Sequence, residues 1–167
     1  TILSPMVNEY SLTKNQFFQC LELHSEKINI KNIILEYFYG PGDDSWKFIT
    51  MLFENFKSNK SKIEFTSGNQ MRDFIFIEDV VSAIMLIVSR EYMKGVENFH
   101  INSGNQFKIK DVVEMCKKIS NNKNTKLLFG SLPDRAEEIT NHHQKVKQNF
   151  TKVEWMAKTE LLPGLSK

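Results

Sequence analysis

The 167-residue sequence predicts an α/β fold in which parallel strands are joined by crossover helices. Short β-branched and aromatic runs alternate with longer segments whose apolar residues recur at helical spacing. Clusters of Gly, Pro, Asn and Ser punctuate the runs. The resulting order is helix, strand, helix, strand, strand, helix, strand, helix, strand, helix. A parallel pair needs a crossover between its strands, and a helix normally supplies it. No internal repeat or low-complexity linker interrupts the series.

Each element has its own signal. Asn8 is placed to cap a helix running to about Glu26, with Leu12, Phe17, Phe18 and Leu21 near one side. Asn32 to Tyr39 reads as a buried strand, carrying Ile33, Ile34, Leu35, Tyr37 and Phe38, and Gly40-Pro41-Gly42 stops it. Ser45 is the expected cap of a helix containing Trp46, Ile49, Met51, Leu52, Phe53 and Phe56. A short alternating strand, Ile63-Glu64-Phe65, precedes a turn at Ser67-Gly68-Asn69. Asp73 to Ile77 is the next strand. Glu78-Asp79 then favours a helix start, since carboxylates suit the positive end of the helix dipole, and Val80, Val81, Ile84, Ile87 and Val88 follow. Asn98 to Asn102 is a strand closed by Ser103-Gly104. Ile109, Val112, Val113, Cys116 and Ile119 make an amphipathic stripe. After a polar turn at Asn121 to Asn124, Leu127 to Phe129 forms a strand. A loop through Pro133, a weaker helix near Gln144 to Phe150 and a tail at Leu161-Leu162-Pro163-Gly164 complete the chain.

Composition narrows the functional classes. With 41% hydrophobic and 25% charged residues the chain has the makings of a folded core. A net charge of +2 gives no argument for a nucleic-acid partner. Lysine dominates the basic residues, and Arg occurs only at 72, 90 and 135. Cys20 and Cys116 both fall in apolar-periodic segments, so both are expected to be buried, reduced and chemically quiet. The histidines at 24, 100, 142 and 143 lack zinc-ligand spacing, and no metal is expected. No apolar run is long enough to span a bilayer, and residues 1–8 lack the charged and apolar regions of a signal peptide. The expected setting is the cytoplasm, with no membrane partner.

Three segments carry chemistry. Tyr10-Ser11-Leu12-Thr13-Lys14 places a phenol and an ammonium four residues apart, on one face of a helix. A nearby cation favours a phenolate and so turns an ordinarily weak base into a usable acid/base group. Tyr39-Gly40-Pro41-Gly42-Asp43 ends a buried strand, and ligands of open α/β sheets bind beyond such ends. Arg72-Asp73-Phe74-Ile75-Phe76-Ile77-Glu78-Asp79 puts an Arg fork, suited to a phosphate, at the start of another strand.

In this order, the three segments resemble the extended short-chain dehydrogenase/reductase family, which includes nucleotide-sugar epimerases, dehydratases and 4-keto reductases. The resemblance continues through Phe99 to Gly104, Arg135 to Glu138, Trp155 and Leu162-Pro163-Gly164-Leu165. It is strongest toward bacterial surface-polysaccharide members acting on CDP- or dTDP-sugars. It implies a partial Rossmann-like parallel sheet with helices, plus a small α+β substrate-binding subdomain. Residues 1–43 would be the C-terminal part of the Rossmann domain. Residues 44–167 would be mainly the subdomain, with 70–104 returning to the Rossmann sheet.

The same resemblance implies residue roles. Tyr10 would be the acid/base, and Lys14 would lower its pKa and bind the nicotinamide ribose of NAD or NADP. Tyr37 and Phe38 would approach the nicotinamide. Arg72 and Arg135 would contact the diphosphate of a nucleotide-diphosphate sugar, Glu138 its ribose, and Tyr39 would belong to the substrate site. Many relatives carry an Asn just before Tyr-Gly-Pro, whereas the stretch Tyr37-Phe38-Tyr39 has none. The family's Gly-x-x-Gly-x-x-Gly loop, ribose-binding acid and Ser/Thr partner all precede its tyrosine by a long stretch, whereas nine residues precede Tyr10. The expectation is half of a hydride-transferring enzyme, with weak or no dinucleotide binding by this chain alone. It would form a homodimer or pair with a missing N-terminal half. A nucleotide-sugar-binding module or a truncated remnant is the alternative.

Overall fold

A computed structural model describes residues 9–91, 93–134 and 154–166. The described elements are α1 (Glu9–Glu22), β1 (Asn29–Leu35), β2 (Tyr37–Tyr39), α2 (Phe48–Lys57), β3 (Lys62–Glu64), β4 (Met71–Phe76), α3 (Ile77–Ser89), β5 (Gly95–Ile101), β6 (Gln106–Lys108), α4 (Ile109–Ile119), β7 (Lys126–Leu128) and α5 (Leu161–Leu165). The predicted α/β class holds. β1 pairs with β5, β2 with β4 and β3 with β7, each in parallel, while β6 joins the far side of β4 antiparallel. Arg135, Glu138 and the helix expected near 144–150 lie outside the described residues.

The strand expected over 32–39 is two strands that change partner at Glu36. Its backbone N–H donates to the Ile101 carbonyl at 3.2 Å, and its buried carboxylate meets Nε2 of His100 at 2.8 Å. This polar anchorage ends the β1–β5 ladder and releases the chain toward β4. The helix after the Gly-Pro-Gly turn starts three residues beyond the expected Ser45, at Phe48, with Lys47 at the cap position and no side-chain cap. The Leu161 tail forms one helical turn. Pro163 fits there because the amides of a first turn have no intrahelical acceptor to lose.

β4 is the shared wall of two apolar cores. Phe74 and Phe76 face one, with Leu52, Phe56, Ile63, Val112, Val113 and Cys116. Ile75, between them in sequence, faces the other, with Val80, Ala83, Ile87, Phe99 and Ile101. This is the two-residue alternation of a strand buried on both sides. The run Phe74-Ile75-Phe76 therefore had to be apolar throughout.

Two buried carboxylates tie loops to this wall. Asp73 accepts from the amides of Ser103 and Gly104 at 2.8 and 3.0 Å. Asp79, in the first turn of α3, accepts from the amides of Lys158 and Thr159 at 3.2 and 2.9 Å. The second anchor brings α5 against the core. There Gly164 packs so tightly on Tyr39 that a β-carbon would overlap the tyrosine hydroxyl.

The cysteines divide. Cys116 is buried in the first core, as expected, and burial pushes its thiol up to about 12. Cys20 is exposed on α1, contrary to expectation, because α1 turns that residue to solvent. Iodoacetamide at mildly alkaline pH should alkylate Cys20 readily and leave Cys116 unmodified until denaturant is added. Peptide mass spectrometry reads the two sites separately. Among the described residues no helix is long and apolar enough to cross a membrane, and no group of three His, Cys, Asp or Glu side chains forms a metal site.

Candidate active site

α1 carries the first group. Tyr10 and Lys14 are one helical turn apart, and the Lys14 ammonium lies 5.6 Å from the centre of the Tyr10 ring. The geometry is the predicted one: cation and phenol share a face. Tyr10 is 70% exposed, and none of the described side chains of α1 is buried. The pair is presented outward, open to a ligand.

The second group sits where β1 passes into β2. Tyr37 is opposite Phe74 in the β2–β4 register, with ring centres 6.0 Å apart. Phe48, opening α2, stacks on Phe74 from 6.3 Å. The Arg72 guanidinium lies 5.7 Å from the Tyr37 ring centre and donates to the Met71 carbonyl at 2.8 Å. Arg72 is 8% exposed, whereas Tyr37 is 46% exposed. The fork is thus held by its own strand and by an aromatic face that reaches solvent.

Phe38 points to the other side of β2 and is covered by Lys47, whose Nζ is 4.2 Å from the ring centre. Lys47 also pairs with Asp43 at 2.9 Å. Sequence reasoning missed Lys47. The available signal was a lysine four residues after the acid of the Gly-Pro-Gly-Asp turn. The turn itself borders a cavity of about 350 Å³ lined by Gly40 to Asp43, Ile49, Thr50, Phe53, Ile119 and the end of α5.

Tyr39 is placed differently from the expectation that put it among substrate-binding residues. It is 3% exposed, packs edge-on against Phe76 and donates its hydroxyl to the Leu161 carbonyl at 3.3 Å. Burial, reinforced by the Asp79 charge, raises its phenol above the ordinary value. Its hydroxyl serves to join β2 to α5.

Parallel strand pairs, crossover helices and an exposed Tyr-x-x-x-Lys helix are the layout of the short-chain dehydrogenase/reductases. The chain belongs to the NAD dependent epimerase/dehydratase family, whose model matches residues 2–104. It is 28% identical to CDP-abequose synthase of Salmonella muenchen over 164 residues, which is 96% of this chain and 55% of that protein. Among solved structures, UDP-glucose 4-epimerase of Thermotoga maritima with UDP-glucose superposes with a TM-score of 0.76. It is 19% identical and is matched over 96% of this chain and 52% of its own. UDP-glucuronic acid 4-epimerase of Bacillus cereus, solved with UDP-glucuronic acid and NAD, gives a TM-score of 0.75. It is 21% identical and is matched over 98% of this chain and 55% of its own. At these identities the structural likeness establishes the Rossmann-like α/β fold. The chain spans about half the length of the relatives it matches.

Proposed function

We propose that the chain is the tyrosine-bearing, substrate-side half of an NAD(P)-dependent nucleotide-sugar epimerase, dehydratase or 4-keto reductase. The observation that carries this reading is the Lys14 ammonium over the exposed Tyr10 ring, in a chain of the epimerase/dehydratase family. In the complete enzyme Tyr10 exchanges a proton with the sugar C4 oxygen, with the Lys14 ammonium beside its ring. Arg72, steadied on Tyr37, holds the diphosphate, and Arg135 and Glu138 complete the nucleotide site. Lys47, over Phe38 on the other side of β2, is a separate cation next to the Gly-Pro-Gly-Asp turn. The division into 1–43 and 44–167 is supported by the strand pairing: β4 and β5 come from 70–104 and pair with β2 and β1.

The residues present fit one end of a dinucleotide. Tyr10 and Lys14 are open to solvent, and Tyr37 and Phe38 are the partly exposed aromatics at the β1–β2 junction. These residues would hold the nicotinamide and its ribose. Bound NAD(P) supplies the hydride acceptor or donor for the sugar carbon. The pyrophosphate normally rests on a glycine-rich loop at a helix N-terminus. The seven glycines of this chain, at 40, 42, 68, 95, 104, 130 and 164, form no such loop. A nucleotide-sugar-binding module that pairs with a separate N-terminal half or with a second copy is the alternative reading. We place the enzyme in the cytoplasm.

Calorimetric titration separates these statements. The isolated chain should show no tight binding of NAD⁺ or NADPH, and micromolar affinity would contradict the half-enzyme reading. It should bind a CDP- or UDP-sugar, and Arg72→Gln should weaken that binding about 10- to 100-fold, the cost of a lost charged hydrogen-bond donor. Equal affinity in the variant would remove Arg72 from the site.

A further inference from the structure

The modest net charge of the chain hides a strong local asymmetry. α2 and α4 end side by side, and β3 and β7 begin there. Asn122 Nδ2 donates to the Phe56 carbonyl at 2.7 Å, and Asn124 Nδ2 to Asn59 Oδ1 at 3.0 Å, so the two turns form one surface. Residues 54–64 and 114–126 hold seven lysines against three glutamates, a net +4, while the whole chain carries only +2. Lys57, Lys60, Lys62, Lys118, Lys123 and Lys126 are all exposed, and the seventh, Lys117, donates to the Thr125 carbonyl at 2.7 Å.

Fold stability accounts for part of this set. Lys57, Lys117 and Lys118 lie in the last turns of their helices, where a cation complements the helix dipole. It does not account for Lys60, Lys62, Lys123 and Lys126. Lys62 and Lys126 are register partners in β3 and β7, an arrangement of like charges that disfavours pairing. Glu64, 3.0 Å from Lys62, offsets one of the two.

The chemistry of the surface narrows its partner. Every cation is Lys, so no planar fork is present for stereospecific phosphate recognition. The intervening side chains are Ser58, Asn59, Ser61, Asn121 and Asn124, and these segments expose no aromatic ring on which a base would stack. They expose no large apolar side chain for insertion into a bilayer either. Such a surface attracts through its field. We infer that this end of the molecule docks reversibly, by charge alone, on an anionic phospholipid surface, without involving the Tyr10 or Arg72 groups.

Vesicle co-sedimentation tests this with the 167-residue chain. Vesicles of phosphatidylcholine with about one third phosphatidylglycerol should bind it at low salt, and pure phosphatidylcholine should not. Roughly 0.5 M salt should release it, since screening then acts over a few Å. The variant K60E/K123E/K126E should lower the apparent affinity about 100-fold or more, and the neutral K60Q/K123Q/K126Q less. The control K27E/K94E/K158E, elsewhere on the surface, should change it by no more than about threefold. Circular dichroism should be the same for all variants. Absent binding to anionic vesicles, or an equal loss in the control, would overturn the inference. Retention on RNA without vesicle binding would overturn it too, by assigning the surface to nucleic acid.

Discussion

Replacing Tyr10 with Phe in a complete enzyme carrying this half is expected to lower turnover by about 10²- to 10⁴-fold while leaving nucleotide-sugar affinity near its original value. The substitution removes one oxygen from an exposed side chain, so folding should not suffer. On the proposed reading, the substitution removes the group that passes a proton to or from the sugar oxygen. Lys14→Met should produce a large loss of the same kind, because the ammonium 5.6 Å from the Tyr10 ring centre is removed. The two losses should not add, since both act through one phenol. Steady-state kinetics on the two single variants and the double variant decide it. Additive losses would mean that Lys14 acts independently, and an unchanged Tyr10→Phe would remove the acid/base assignment.

Asp73→Ala should produce a large loss of stability. Asp73 is fully buried and receives two backbone N–H groups, from Ser103 and Gly104. Truncation leaves both donors without their acceptor inside the protein. Each such group costs about 1–3 kcal/mol, so a loss of about 2–6 kcal/mol is expected. The effect reaches the site, because the Ser103–Asn105 turn leads into β6, whose Phe107 is the register partner of Arg72. Asp73→Asn should recover part of the loss, since an amide offers one acceptor oxygen and turns a donor toward the other amide. Urea unfolding of the three proteins measures it, and a loss below about 1 kcal/mol for Asp73→Ala would show that water replaces the carboxylate.

The parts of this fold that were legible in the sequence are those whose cause is local. α4 runs over Ile109–Ile119 as its apolar stripe indicates, because one strongly amphipathic face decides the period. The partner switch at Glu36 was not legible, because its cause, His100, lies 64 residues away. β6 was missed for a related reason. It has three residues, two of them polar, and exists through its pairing with β4. Among site residues, the i, i+4 rule was enough to put Tyr10 and Lys14 on one face. It could not sort Tyr37, Phe38 and Tyr39, since a strand apolar on both faces carries no mark of which side is solvent. The structure sends Tyr39 inward to Leu161 and leaves Tyr37 and Phe38 half exposed beside Arg72 and Lys47. Cys20 misled because α1 is apolar enough to suggest a core yet presents most of its surface.

The most direct trial is a single-turnover experiment on the complete enzyme, following nicotinamide absorbance after mixing with its nucleotide sugar. A change in the cofactor's redox state that depends on the sugar, and that slows by orders of magnitude in Tyr10→Phe, is the predicted outcome. Product formed without any such change, or at an undiminished rate in the variant, would contradict it.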